Sequence, residues 1–233
     1  PQGSILSPVL SNILLSKLDR FVEMELMPQY NKGKKRRENQ AYQRLTKRAR
    51  RLRKKGQMEA AKKIKQQAQK LPSIDPQDPD YRRLRYCRYA DDFALAFVGP
   101  KDEAEAIKQR LRTFLLEELK LNLSEEKTVI THTRDSAAKF LNYEITTLHC
   151  DTKQTRRRGR KMRSINGEIG LKVPWNVVED KCKRYMRKGK TIHRAELLNE
   201  SDFTIIATYQ LEYRGLVNYY RMAYNLYTLR KLK

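Results

Sequence analysis

The sequence predicts an α+β fold, an antiparallel sheet with helices packed on one face, followed by an all-α C-terminal region. Three observations predict it. Residues 85–98, RYCRYADDFALAFV, place two aromatic, β-rich runs around an Asp-Asp pair, the pattern of a hairpin. Residues 7–27 and 101–120 repeat apolar side chains at helical spacing. Further β-rich runs at 127–131 and 139–146 separate these from a third helical stretch that begins after Pro174.

Taken in order, the 7–27 helix has Ser7 as its cap and Pro8 at its first position, where a missing N–H costs nothing. Leu10, Ile13, Leu14, Leu18, Phe21 and Val22 give it one apolar face for the core, and Pro28 is expected to end it. Residues 31–70 hold 17 Lys and Arg against 2 acids, so most of the excess charge sits in a short stretch. Weak helical periodicity with a break at Gly56 predicts two short basic helices; the alternative is a solvated, partly disordered insertion. Pro72, Pro76 and Pro79 then form a linker back to the core.

The next element is the central hairpin. Tyr86, Cys87 and Tyr89 lead into it, Phe93, Leu95, Phe97 and Val98 lead out, and Asp91 and Asp92 fall at the turn. Two carboxylates on a rigid ladder suit a hard divalent cation, which takes oxygen ligands and keeps waters for phosphates. An isolated Asp-Asp is more often a solvated turn. In the 101–120 helix, Asp102, Glu103 and Glu105 sit at the positive end of the dipole, and Ala104, Ile107, Leu111, Phe114 and Leu115 form the buried stripe. Lys127–Thr131 and Lys139–Thr146 read as strands. A second basic cluster, residues 153–163, precedes Asn166-Gly167, a hairpin turn signal between residues 163–165 and 168–171. Helices are expected near 175–188, 194–199 and 202–226. In the last, Tyr209, Tyr213, Tyr220 and Tyr224 recur at helical spacing and read as core; the other tyrosines are candidates for stacking on bases.

Composition bounds the partners. The 233 residues carry 51 Lys+Arg against 27 Asp+Glu, a net charge of +24, the footprint of a polyanion binder. A basic membrane-surface protein is the competing account. The sequence holds no apolar run long enough to span a bilayer and no signal peptide, so no membrane partner is expected. Cys87, Cys150 and Cys182 lack metal-ligand spacing and point to a reducing compartment.

Five stretches carry a resemblance. Tyr89-Ala90-Asp91-Asp92 resembles the YADD box of reverse transcriptases. Pro1-Gln2-Gly3-Ser4 with Ile5–Asn12 resembles the PQG…SP-x-L-x-N box before it, and Leu123–Thr128 the LS-x-x-KT box after it. Phe140-Leu141-Asn142-Tyr143 resembles the FLG-(F/Y) strand, with Asn142 in the glycine position. Tyr213–Tyr220, YRGLVNYY, resembles the thumb, or maturase, segment of group II intron-encoded proteins, and argues against a retron or diversity-generating relative.

The resemblance implies a partial polymerase palm over residues 1–150, with a basic insertion at 31–80, and a thumb/maturase region over 151–233. It implies copying of RNA into DNA by nucleotidyl transfer, and assistance to splicing of the parent intron. Two Mg2+ ions, about 4 Å apart, would clamp the attacking 3′-hydroxyl and the leaving phosphate oxygens. Asp91 is then the direct metal ligand and Asp92 the second carboxylate. Lys127 is a candidate acid for the pyrophosphate leaving group. Gln2, Gly3, Tyr89 and Ala90 lie near the incoming nucleotide and template; the flexible Gly3 backbone allows close approach. Arg36, Arg37, Lys47, Arg48, Arg50, Arg51, Arg156, Arg157 and Arg158 are the candidate nucleic-acid contacts, with a steep salt dependence. The partners implied are group II intron RNA, an RNA template, a DNA primer and deoxynucleoside triphosphates, in a bacterial cytoplasm or an organelle.

The family draws a further metal-binding aspartate from a strand ahead of the PQG box. The chain begins at Pro1, inside that box, so the natural polypeptide is expected to start upstream, or a separate N-terminal half to supply the rest. The 233 residues alone are expected not to polymerise. The alternative of a different class is an RNA-binding splicing factor without chemistry of its own.

Overall fold

A computed structural model describes residues 6–150, 153, 155–157, 159–162 and 165–232. It is mixed α and β, and it divides into two compact units, residues 1–130 and 131–233. The boundary expected at residue 150 falls inside the second unit, because strands on both sides of it pair with one another.

In the first unit, α1 (Ser7–Phe21) passes through a π-helical turn, Val22–Leu26, into α2 (Met27–Tyr30). Pro28 therefore lies within the helix instead of ending it. A proline ring crowds the carbonyl of the preceding turn, and the widened turn directly before Pro28 gives it room. Only part of the expected apolar face is buried. Leu15, Leu18, Phe21, Val22 and Leu26 are inside, while Leu10 and Ile13 are each 62% exposed.

The buried part packs against α5 (Lys101–Glu118) and against one face of a hairpin formed by β1 (Arg83–Tyr89) and β2 (Asp92–Val98). Phe21 stacks on Phe114 of α5 with ring centroids 4.1 Å apart. The hairpin register pairs Leu84 with Phe97, Tyr86 with Leu95 and Arg88 with Phe93. These residues face the core; Arg85, Cys87, Tyr89, Asp92 and Ala96 face the open side. That is the two-residue alternation of a half-buried ladder.

The basic tract is an ordered helical hairpin, α3 (Gln40–Lys54) and α4 (Met58–Gln69), turning at Gly56 with φ +79°. Ala49, Ala61 and Ala68 are its buried residues, so the two helices meet through small side chains. Asn39 caps α3, its side-chain oxygen accepting the N–H of Ala41 at 2.9 Å. The ends of the arm are stitched by bridges Lys32–Arg82 and Glu38–Ile74. Asp78, 4% exposed, accepts the N–H of Arg37 at 2.7 Å and of Asp80 at 3.0 Å.

The strand expected at Lys127–Thr131 is absent. Glu125–Lys127 form a turn, and Val129 is 70% exposed. β-branched residues become strand only against a neighbour, and β1 and β2 pair only with each other among the described residues.

In the second unit, β3 (Ala138–Phe140), β4 (Tyr143–Thr147) and β7 (Ile169–Lys172) form an antiparallel sheet in the order β3–β4–β7. The single strand expected at 139–146 is thus two, joined by Leu141 and Asn142, both with positive φ (+47° and +56°). That is a primed turn, which explains why glycine or asparagine suits position 142. The 169–171 run pairs with β4, not with residues 163–165; Arg163 and Ser164 lie outside the described residues. The Asn166-Gly167 turn closes onto Leu148 and Cys150.

Residues 155–162 of the second basic cluster contain a hairpin, β5 (Thr155–Arg157) with β6 (Arg160–Met162). Then come α6 (Trp175–Tyr185), the short pair β8 (Met186–Arg187) and β9 (Lys190–Thr191), a 3-10 turn at Ala195–Leu197, and α7 (Asp202–Tyr219). The expectation of an all-α region after residue 150 is therefore corrected. The long helix expected at 202–226 stops at Tyr219, because Tyr220 and Ala223 turn into a core with Val173, Val178 and Leu229.

Candidate active site

The hairpin register pairs Tyr89 with Asp92, which leaves Ala90 and Asp91 as the two turn residues. Ala90 takes the left-handed conformation, φ +50°, at a cost of about 1 kcal/mol for a residue with a Cβ. Asp91 and Asp92 are both exposed. They point different ways: Asp92 shares the open face with Tyr89, whereas Asp91 Oδ1 accepts the Ser11 hydroxyl of α1 at 3.0 Å.

The tip is held by Arg88. Its Nε and Nη2 donate to the two carboxylate oxygens of Asp19 on α1, at 2.8 and 2.7 Å. Its Nη1 donates to Asn12 Oδ1 at 3.1 Å and to the Ala90 carbonyl at 2.7 Å. Tyr86 adds a hydrogen bond to Asp19 at 2.8 Å. The Arg88 hydrogen bonds hold the Asp19 carboxyl below the usual carboxylate range, against some opposing burial. Burial, then the hydrogen bond to Asp19, pushes the Tyr86 phenol well above its ordinary value. Hence Asp19 stays ionised and Tyr86 neutral, and the clasp is charge-assisted throughout the neutral range.

Two carboxylates supply oxygen donors of the kind Mg2+ takes. Among the described residues no group of three His, Cys, Asp or Glu could hold a metal. The pair fits a hard cation that takes its remaining ligands from waters and phosphates.

The other expected site residues separate. Tyr89, 67% exposed, and Ala90 flank the acids. Gln2, Gly3 and Arg158 lie outside the described residues. Lys127 is exposed in the turn after α5, and among the described residues no hydrogen bond or ion pair joins it to Asp91 or Asp92. Lys47, Arg48, Arg50 and Arg51 are exposed along α3. Arg36 and Arg37 lie at the base of the arm: Arg36 stands over the Tyr81 ring at 5.1 Å, and Arg37 pairs with Asp80. Arg156 is exposed on β5, and Arg157 ends that strand.

Sequence reasoning missed Ser11, Asn12, Asp19 and Arg88. Ser11 and Asn12 lie inside the SP-x-L-x-N box, and Asp19 follows Asn12 by two helical turns, so the polar stripe was present in the pattern. It also missed a link between two other boxes. Tyr219 donates to the Leu141 carbonyl at 2.8 Å and Tyr220 to the Asn142 carbonyl at 3.2 Å, so the GLVNYY segment is seated on the FLNY turn. Tyr143 donates back to the Tyr219 carbonyl. Next to α6, Glu212 accepts from Tyr185 and from Arg194 at 2.9 Å, and these bonds hold its carboxyl below the usual range.

The comparisons with known proteins agree with this geometry. Residues 1–145 match the family model for reverse transcriptase (RNA-dependent DNA polymerase), and residues 177–233 that for type II intron maturase. The group II intron-encoded protein LtrA of Lactococcus lactis subsp. cremoris is 33% identical over 97% of this chain and 40% of its own length. The putative COX1/OXI3 intron 1 protein of Saccharomyces cerevisiae is 32% identical over 99% of this chain and 28% of its own. Protein YkfC of Escherichia coli is 33% identical over 58% of this chain. The chain thus spans well under half the length of the two intron proteins. With an Asp-Asp tip inside the first match and the tyrosine-seated turn joined to the second, the chain belongs to the reverse transcriptase family, among the group II intron-encoded reverse transcriptase/maturases.

Proposed function

We propose that this chain is the metal-binding and RNA-binding portion of an RNA-directed DNA polymerase encoded by a group II intron. The observation that carries the reading is the pair of exposed carboxylates, Asp91 and Asp92, at the tip of a braced hairpin in a strongly basic protein. On this reading residues 1–150 are part of a polymerase palm with a basic insertion at 31–80, and residues 151–233 are thumb and maturase region. Asp91 would hold Mg2+ directly and Asp92 would be the second carboxylate. When bound, the ion would neutralise charge developing on phosphate oxygens during nucleotidyl transfer. Tyr89, Ala90, Gln2 and Gly3 would lie near the incoming nucleotide and the template, and Lys127 would serve as acid for the leaving group.

The substrates proposed are an RNA template, a DNA primer and deoxynucleoside triphosphates. The arm α3–α4 and the Arg156–Arg158 cluster would track the phosphates of structured intron RNA during splicing. Extension of a labelled DNA primer on an RNA template, in Mg2+ and with the remaining polymerase segments supplied, tests the reading. Activity that Asp91→Ala abolishes supports it; activity that survives Asp91→Ala overturns it.

A second reading, an RNA-binding splicing factor without chemistry, is favoured by the concentrated charge of the arm. Tight, salt-sensitive RNA binding with no extension under any complementation would select it.

A further inference from the structure

Arg88 ties the β1–β2 tip to α1 by several contacts at once. Its side chain is 13% exposed, and all three guanidinium nitrogens are used. Two reach Asp19 as a fork, and the third is shared between Asn12 and the Ala90 carbonyl, the residue directly before Asp91. Asn12 and Asp19 lie two turns apart on one face of α1, and Ser11, beside Asn12, bonds Asp91 itself. The same short stretch of helix therefore grips both the backbone and the carboxylate of the turn.

We propose that Arg88 is a positioning residue for nucleotidyl transfer: it fixes the Ala90-Asp91 turn against α1 and so sets the direction of the Asp91 carboxylate. This rests on the reading of Asp91 as a metal ligand. The geometry explains why a planar fork is needed. Ala90 stands in a conformation that residues with a Cβ rarely adopt, and the bond to its carbonyl helps keep it there. Asp91 would otherwise follow the turn, with the Ser11 hydroxyl as its remaining hydrogen bond to α1. A lysine ammonium keeps the charge but cannot reach Asp19 in a bidentate manner while holding the Ala90 carbonyl.

The test compares wild type with Arg88→Lys and the milder Asn12→Ala, which removes one of the four contacts. Backbone order parameters of Ala90 and Asp91 come from 15N relaxation, and Mn2+ affinity from electron paramagnetic resonance. In Arg88→Lys the order parameters should fall from about 0.85 to below about 0.6, and Mn2+ should bind at least roughly tenfold more weakly, a change of about 1.4 kcal/mol or more. Asn12→Ala should move both in the same direction by less. Rigid Ala90 and Asp91 in Arg88→Lys would overturn the proposal, as would a loosened turn with unchanged Mn2+ affinity where Asp91→Ala abolishes binding. Mn2+ binding untouched by Asp91→Ala would count instead against Asp91 as the ligand, and the order parameters would still decide whether Arg88 holds the turn.

Discussion

Asp78→Ala should loosen the basic arm without touching its charge-bearing face. The carboxylate is 4% exposed and accepts two backbone N–H groups, those of Arg37 and Asp80, at 2.7 and 3.0 Å. Removing it leaves both donors without this acceptor at the base of the arm. An orphaned buried donor costs about 1–3 kcal/mol. Asp80 lies in the exposed linker and can turn to water, so the total should be about 2–4 kcal/mol rather than the full sum of both maxima. The ion pair to Arg37 adds little, because that guanidinium is 65% exposed and its Nε stands 3.8 Å away. Asp78→Asn keeps one acceptor and turns a donor toward the other N–H, so it should cost a smaller amount in the same direction. Urea denaturation gives the total, and hydrogen exchange resolves its place: protection should fall across residues 37–80 first, ahead of β1 and α5. A variant within about 0.5 kcal/mol of wild type, or exchange that rises evenly over the first unit, would refute the view of Asp78 as the clasp of the arm.

Three further outcomes follow from the same structure. Asp19 is held below its ordinary value, so its contribution to stability is complete above about pH 4 and is lost as pH falls through the lowered folded-state value; Asp19→Asn should flatten the acid limb of a plot of urea midpoint against pH, and an unchanged limb would contradict this. Replacing Lys47, Arg48, Arg50 and Arg51 together by Gln should reduce the slope of log affinity against log salt for structured RNA by about 2–4, with little change in melting temperature; an unaltered slope would mean that RNA does not run along α3. At the primed turn, Asn142→Val should cost about 1–2 kcal/mol and Asn142→Gly nothing measurable, read by thermal unfolding, and equal effects would contradict the turn geometry.

The hairpin, the 101–120 helix and the split basic helices were legible in the sequence because each is a local pattern. The alternation of Tyr86, Phe93, Leu95 and Phe97 marks a ladder, and Ile107, Leu111 and Leu115 mark a helix face. What escaped was decided by neighbours. Lys127–Thr131 has strand composition yet finds no partner strand, so propensity alone misled. Pro28 reads as a stop, but a π turn absorbs it. The 169–171 run sits beside a good turn signal, yet its strand partner comes from β4, far earlier in the chain. At the site, Asp91 and Asp92 stood out as an acidic pair in a basic chain. Arg88, Asp19 and Asn12 did not, because an ion pair across α1 and β1 leaves no mark at either position until both are placed.

The most direct test of the whole account is primer extension on an RNA template in Mg2+, by these 233 residues alone and with the upstream polymerase segment added as a separate chain. On the proposed reading the 233 residues alone give no extension, the mixture extends the primer, and Asp91→Ala abolishes that extension. Extension by the 233 residues alone, or extension in the mixture that persists in Asp91→Ala, would contradict it.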